Sequence, residues 1–251
     1  MKWLLSLLLL FVVGIGFAQL PLIHAHNDYQ KTEPLTNALR NKVFSIEADV
    51  YLFNGELRVA HDKNELTTAP TLDALYLRPI SDRMILHKNL ISIDSNYLPV
   101  LMIDIKENSK GVLIKLMANL NAYPSSFNRI DNPNAVQVVI SGDRGPVSSW
   151  KDYPDIILFD GRPNEVYDSA ALRKLAFVSD SYVNYSIPAD SLDNRLQRVA
   201  RQVHDMNKLL RIWAIPDNPG SWDHLRHLGV DIINTDKVTE CRNYFSKGNK
   251  Q

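Results

Sequence analysis

Glu47 and Asp49 stand two apart in the segment Ser45-Ile46-Glu47-Ala48-Asp49-Val50-Tyr51. A strand sends residues i and i+2 to one face, so both carboxylates point the same way. Two acids side by side on an otherwise apolar strand are costly unless neutralised, and a metal cation is the usual neutraliser. His61-Asp62 follows twelve residues after Asp49, and His24-Ala25-His26-Asn27-Asp28 lies upstream. Asp104 and Lys106, again two apart, mark the end of a third apolar run. Carboxylate oxygens suit one hard divalent cation, Mg²⁺ or Ca²⁺, with water completing the shell. The expected metal ligands are therefore Glu47, Asp49 and Asp104. Lys106 is suited to hold an anionic substrate oxygen. His26 and His61 form the expected acid/base pair, because imidazole titrates near neutrality. Taken singly, Glu47 and Asp49 are better explained as partners of buried arginines, and His26 as a hydrogen-bonded core histidine. Their convergence favours a site.

Convergence requires a scaffold. Short apolar runs recur at 20–25, 43–50, 100–105, 135–140, 155–159, 175–178, 210–215 and 230–233. Most are rich in Val and Ile and continuous rather than alternating, as in parallel strands buried on both faces. Helical stretches lie between them. One starts at Thr32-Glu33-Pro34, with proline early, where its missing N–H costs least. Others cover 109–122, 191–209 and 219–228, the last ended by Gly229. The stretch 191–209 carries Leu192, Leu196, Val199, Val203 and Met206 at helical spacing. The fourth crossover, 147–151, is barely one turn. Strand–helix alternation with eight strands predicts an α/β fold, a closed parallel TIM (β/α)8 barrel of about 250 residues. Its active site is expected at the C-terminal strand ends, where these ionisable residues fall. The stretch 66–98 must build a crossover helix, so any cap is small. No linker or repeat divides 19–251, which reads as a single domain.

Composition narrows the class. The 251 residues carry 28 basic and 28 acidic side chains. That balance leaves no electrostatic footprint for nucleic acid or an anionic membrane. Residues 1–18 read as a cleaved signal peptide: Lys2 is the positive n-region, 4–17 is nearly all apolar, and Gly16-Phe17-Ala18 offers small residues for cleavage. That run is shorter than the roughly 20 residues that span a bilayer. Export to a periplasmic or extracellular space is expected, without stable membrane insertion after cleavage; an uncleaved membrane anchor is the weaker alternative. The single Cys241 excludes an intrachain disulfide.

Two rival readings are weaker. His24-x-His26 could open an amidohydrolase-type metal site, but that site wants histidines after the fifth and sixth strands. Here those strands end in Asp160-Gly161-Arg162 and Ser179-Asp180. A non-catalytic barrel that binds a phosphate ester would need no acid/base pair. His87, His204, His224 and His227 fall in helical stretches and read as surface residues.

The ordered set His26-Asn27, Glu47-x-Asp49, His61-Asp62 and Asp104-x-Lys106 resembles the glycerophosphodiester phosphodiesterase and phosphatidylinositol-specific phospholipase C-like barrel superfamily. Its first motif is His-Arg-Gly and its third-strand motif Glu-x-Lys. Here they stand as His26-Asn27-Asp28 and Asp104-Ile105-Lys106. Trp213 in Ile212-Trp213-Ala214-Ile215 is similar to the family's tryptophan that lines the substrate pocket. Gly229-Val230-Asp231 through Thr235-Asp236 is similar to its closing segment. The resemblance implies a phosphoric diester hydrolase acting on a small phosphodiester or phospholipid-derived substrate. It assigns the cation to orienting the phosphodiester, and His26 and His61 to acid and base roles. Asn27, Asp62, Lys106 and Trp213 then line the substrate side. A neighbouring hydroxyl gives a cyclic phosphate; water gives hydrolysis. Because Asn27 replaces the family's arginine, the phosphate grip is expected from Arg144 or Arg162, whose guanidinium can bind phosphate bidentately. A rim salt bridge accounts for either arginine equally well.

Overall fold

The computed structural model describes residues 20–185 and 191–248. The expected leader, 1–18, lies outside the described residues. The strands are β1 (Leu22–Ala25), β2 (Ser45–Phe53), β3 (Glu56–Val59), β4 (Val100–Ile105), β5 (Gln137–Gly142), β6 (Ile157–Gly161), β7 (Leu175–Ser181), β8 (Leu210–Trp213) and β9 (Ile232–Thr235). Eight are parallel neighbours, and β1 pairs with both β2 and β9, which closes the barrel. The helices are α1 (Thr36–Arg40), α2 (Arg78–Leu86), α3 (Ser109–Leu120), α4 (Pro124–Phe127), α5 (Ser169–Lys174), α6 (Leu192–Asp205), α7 (Pro219–His227) and α8 (Val238–Gly248). No described helix is long and apolar enough to cross a membrane.

The ninth strand departs from the expected pattern. β2 does not stop at Val50 but runs to Phe53 and turns back as β3, its antiparallel partner. Asn54 and Gly55 make the turn with φ of 50° and 78°, the double positive φ of a two-residue hairpin. The first helix also begins later than Thr32-Glu33-Pro34, at Thr36, after Leu35 adopts a positive φ. The weak fourth crossover is a 3-10 segment, Val147–Asp152. It seals the barrel wall with Trp150, fully buried and stacked on Phe159 at 4.6 Å.

Strand alternation layers the barrel interior. At the N-terminal end Val100, Met102, Val139, Phe177 and Ile232 form an apolar plug with Leu22, Phe44, Leu158 and Leu209. Two residues further along most of these strands stand His24, Asp104, Ser141, Asp160, Ser179, Arg211 and Asn234. Most of these are buried polar groups, joined by Ser45 and Glu47. The plug closes one end of the barrel and leaves the polar layers facing the other.

Candidate functional site

The polar layer is a connected network. Glu47 Oε2 lies 2.6 Å from His24 Nε2, and His24 Nδ1 is 3.0 Å from Ser45 Oγ. Arg211 reaches into the same layer from β8. Its Nη1 is 2.8 Å from His24 Nε2 and donates to Asn234 Oδ1 at 3.1 Å. Its Nε donates to Ser179 Oγ, and its guanidinium lies 3.8 Å from Glu47 and 3.5 Å from Asp160. Burial first, then the Arg211 charge, holds the His24 imidazole well below its ordinary pKa, so the ring is neutral. Asp160 is also buried, and burial alone would raise its pKa. Arg162 and Arg211 outweigh that and keep it low.

The same layer continues into the ionisable residues of the strand ends. Glu47, Asp49 and Asp104 each offer an oxygen within 4.8 Å of the others'. Lys106 Nζ donates to Asp49 Oδ2 at 2.6 Å and to Asp104 Oδ2 at 2.8 Å. Asp49 Oδ2 also accepts from the Tyr29 hydroxyl at 2.9 Å and lies 3.1 Å from His61 Nδ1. Burial, opposed by Lys106, leaves the Asp49 pKa raised. Asp49 Oδ1 is buried with no hydrogen-bond partner. Such an orphaned carboxylate oxygen is expensive unless a cation faces it. The donor set is all carboxylate oxygen, which fits a hard divalent ion.

The two histidines occupy different surroundings. His26 lines the cleft, and its Nδ1 lies 3.3 Å from Asp236 Oδ1, to which Lys31 also donates. Burial lowers the His26 pKa, but the Asp236 hydrogen bond and the charges of Glu47 and Asp236 outweigh it, and the net shift is upward. His26 and Lys31 hold Asp236 down at about 2. The His61 side chain is half exposed. Its loop is shaped by Glu65 Oε2, which accepts the backbone N–H of His61 and of Asp62.

A cleft of about 290 Å³ opens above this layer, lined by His26, Glu47, Asp104, Lys106, Ser141, Gly142, Arg162, Arg211 and Trp213. Glu47, Asp49, Asp104, Lys106, His26 and His61 are thus brought together, with Arg162 and Trp213 on the far wall. Arg144 is not among the lining residues. It pairs with Glu165 through both terminal nitrogens, donates to the Asp160 carbonyl and lies over the Trp150 ring. Of the two candidate arginines, only Arg162 reaches the cleft, where its Nη1 donates to Asp160 Oδ2 at 2.9 Å. Asp62 caps the 3-10 turn Lys63–Glu65 and is exposed. Asn27 adopts a left-handed φ of 46°, and its Oδ1 lies 3.3 Å from the Tyr29 hydroxyl. Neither Asp62 nor Asn27 lines the cleft.

Sequence reasoning missed Arg211, Tyr29 and the buried role of His24. Arg211 vindicates part of the plainer reading, since Glu47 does have a buried arginine beside it. Its signal was an arginine two residues before Trp213 inside an apolar strand. His204 pairs with Asp231 and His224 with Asp193 on the surface, and Cys241 is a buried free thiol.

The chain is similar to several known proteins in sequence and in fold. The family model for the AIM6-like phosphodiesterase domain matches residues 18–144. Altered inheritance of mitochondria protein 6 from Eremothecium gossypii is 28% identical over 86% of this chain and 67% of its own length. The Arthroderma benhamiae homolog of that protein is 27% identical over 92% of this chain and 85% of its own. A glycerophosphodiester phosphodiesterase from Parabacteroides distasonis superposes with a TM-score of 0.62 at 12% identity, over 92% of this chain and 98% of its own. Another, from Agrobacterium tumefaciens, gives 0.51 at 15% identity, over 83% and 90%. At such identities the solved structures share the barrel fold.

Proposed function

The chain belongs to the AIM6-like phosphodiesterase domain family, and from that premise we propose that it is a metal-dependent phosphodiesterase acting on a small phosphodiester or phospholipid-derived substrate. The observation that carries this reading is the orphaned Asp49 Oδ1 inside the cluster of Glu47, Asp49 and Asp104. Those three residues would hold a divalent cation. When bound, it neutralises phosphoryl charge and favours attack at phosphorus.

The chain's own residues do the rest. His26 has Nδ1 turned to Asp236, which leaves Nε2 to exchange a proton with the substrate. His61 has Nδ1 turned to Asp49, which leaves Nε2 in the same condition. One acts as acid and the other as base. Arg162, on the cleft wall, takes over the phosphate grip that Asn27 cannot provide, with the terminal nitrogen that is not bound to Asp160. Lys106 spends two of its three N–H bonds on Asp49 and Asp104, and the third remains for a substrate oxygen. Trp213, partly exposed at the mouth, offers a ring face to the leaving group. Export through the N-terminal leader belongs to the same proposal; an intact mass that retained residues 1–18 on exported protein would refute that part.

The test is a panel of phosphodiesters assayed with and without EDTA, repeated on His26→Ala and Glu47→Ala. Activity is expected to need the cation and to fall by about 10²–10⁴-fold in His26→Ala. Undiminished turnover in either variant ends the mechanism. Arg162→Met is expected to raise KM with little change in kcat.

A further inference from the structure

The ligand carboxylates are each held by one oxygen only. Glu47 Oε2 faces His24 at 2.6 Å. Asp49 Oδ2 is engaged by Lys106, Tyr29 and His61 at 2.6, 2.9 and 3.1 Å. Asp104 Oδ2 accepts from Lys106 at 2.8 Å. The opposite oxygens, Glu47 Oε1, Asp49 Oδ1 and Asp104 Oδ1, have no hydrogen bond among the described residues, and that of Asp49 is fully buried. Gly142 packs flush against Asp104 Oδ1: a Cβ there would stand 2.9 Å from it. Each carboxylate is therefore held through one oxygen, while the other makes no hydrogen bond among the described residues.

This pattern bears on cation size. Ca²⁺ gathers about 6–8 oxygens and often takes carboxylates through both oxygens, at roughly 2.3–2.6 Å. Mg²⁺ takes six ligands at about 2.0–2.1 Å, keeps several waters, and is content with single carboxylate oxygens. Two-oxygen ligation by Asp49 or Asp104 would require pulling its Oδ2 off the Lys106 ammonium. Among the described residues, Lys106 alone binds two of the three carboxylates.

Resting on the cation reading above, we propose that Lys106 is the selectivity residue of the site: by tying Oδ2 of both Asp49 and Asp104 it confines each to one-oxygen ligation and favours Mg²⁺ over Ca²⁺. Its ammonium contributes less by its charge, which opposes both ions alike, than by where it places the two carboxylates. Tyr29 reinforces the restraint on Asp49.

The experiment is isothermal titration calorimetry of Mg²⁺ and of Ca²⁺ into the metal-stripped full chain, for the native protein, Lys106→Met, Lys106→Arg and Tyr29→Phe. The quantity read is the ratio of the two Kd values. The native ratio is expected to favour Mg²⁺. Lys106→Met is expected to move it toward Ca²⁺ by about tenfold or more, the scale of effect seen when groups behind metal ligands are removed. Lys106→Arg keeps a bridging cation and keeps the native preference. Tyr29→Phe deletes one hydroxyl and is expected to shift the ratio the same way by about threefold; it decides the matter if Lys106→Met does not fold. A native preference for Ca²⁺, or ratios unmoved in Lys106→Met and Tyr29→Phe, overturns the proposal while leaving the cation site standing. Absence of binding by either ion to the native protein overturns both.

Discussion

His26 and Asp236 show how single contacts set the chemistry of this site. The two are drawn from opposite ends of the chain and lie 3.3 Å apart. His26 titrates above its ordinary value although burial opposes that, because Asp236 and Glu47 favour the imidazolium. A raised histidine pKa stabilises the fold below the unfolded value of about 6.5, and the contribution is lost as pH rises through the folded value. Asp236, held down at about 2, contributes above its unfolded value and loses that contribution as pH falls through about 2. The pair therefore favours the folded state most between about pH 4 and 6.5. Both side chains are partly exposed, so its worth is below about 1 kcal/mol. Asp236→Asn should lower the His26 titration midpoint, read from its imidazole proton shifts by NMR, while Tm changes little. A midpoint that stays put would mean that Glu47 alone sets it.

At the scale of elements, two features carry the site on backbone geometry. Gly142 ends β5 at φ 67°, and a Cβ there would meet the Ile105 carbonyl oxygen at 2.3 Å. Gly142→Ala is expected to destabilise by about 2 kcal/mol or more and to weaken cation binding through Asp104, measured by denaturant melts and calorimetry on one preparation. Stability loss with intact binding would separate the two effects. The second feature is the β5–β6 crossover, where Trp150 on Phe159 takes the place of a helix. Trp150→Ala should cost about 3–5 kcal/mol in chemical denaturation, a full core penalty from a six-residue segment. The barrel strands were legible in the sequence because runs such as 100–105 and 210–215 are short, branched and regularly spaced. The weak fourth crossover was legible for the same reason, as a gap with no helical period. The β2–β3 hairpin was not, although Asn54-Gly55 between Tyr51-Leu52-Phe53 and Leu57-Arg58-Val59 is a strong hairpin signal. The same hairpin returns the chain through Ala60, whose N–H donates to the Asp49 carbonyl, and so delivers His61 to Asp49.

Across the whole molecule, the site was legible where it is local and illegible where it is not. Same-face pairs such as Glu47 and Asp49, or Asp104 and Lys106, follow from strand geometry alone. Arg211 could not be placed that way, because its partners His24, Asp160, Ser179 and Asn234 lie between 23 and 187 residues away and meet only when the barrel closes. Arg144 misled for the opposite reason: its place in the chain suited the cleft, but Glu165 and Trp150 hold it in the wall. A ligand that binds the folded state alone stabilises it by mass action, so a cation at a hundredfold excess over its Kd should add about 2.7 kcal/mol. Scanning calorimetry with and without EDTA measures this, and Glu47→Gln should abolish the difference. The closed charge network also sets an order of events during synthesis. The N-terminal half leaves the ribosome first and carries all three acids, yet the guanidinium that lies beside Glu47 belongs to β8, 187 residues after His24. Until that strand arrives, the acids have no dry interior to enter. The candidate site is thus among the last parts to take shape, and a nascent or truncated half-barrel has no means of assembling it.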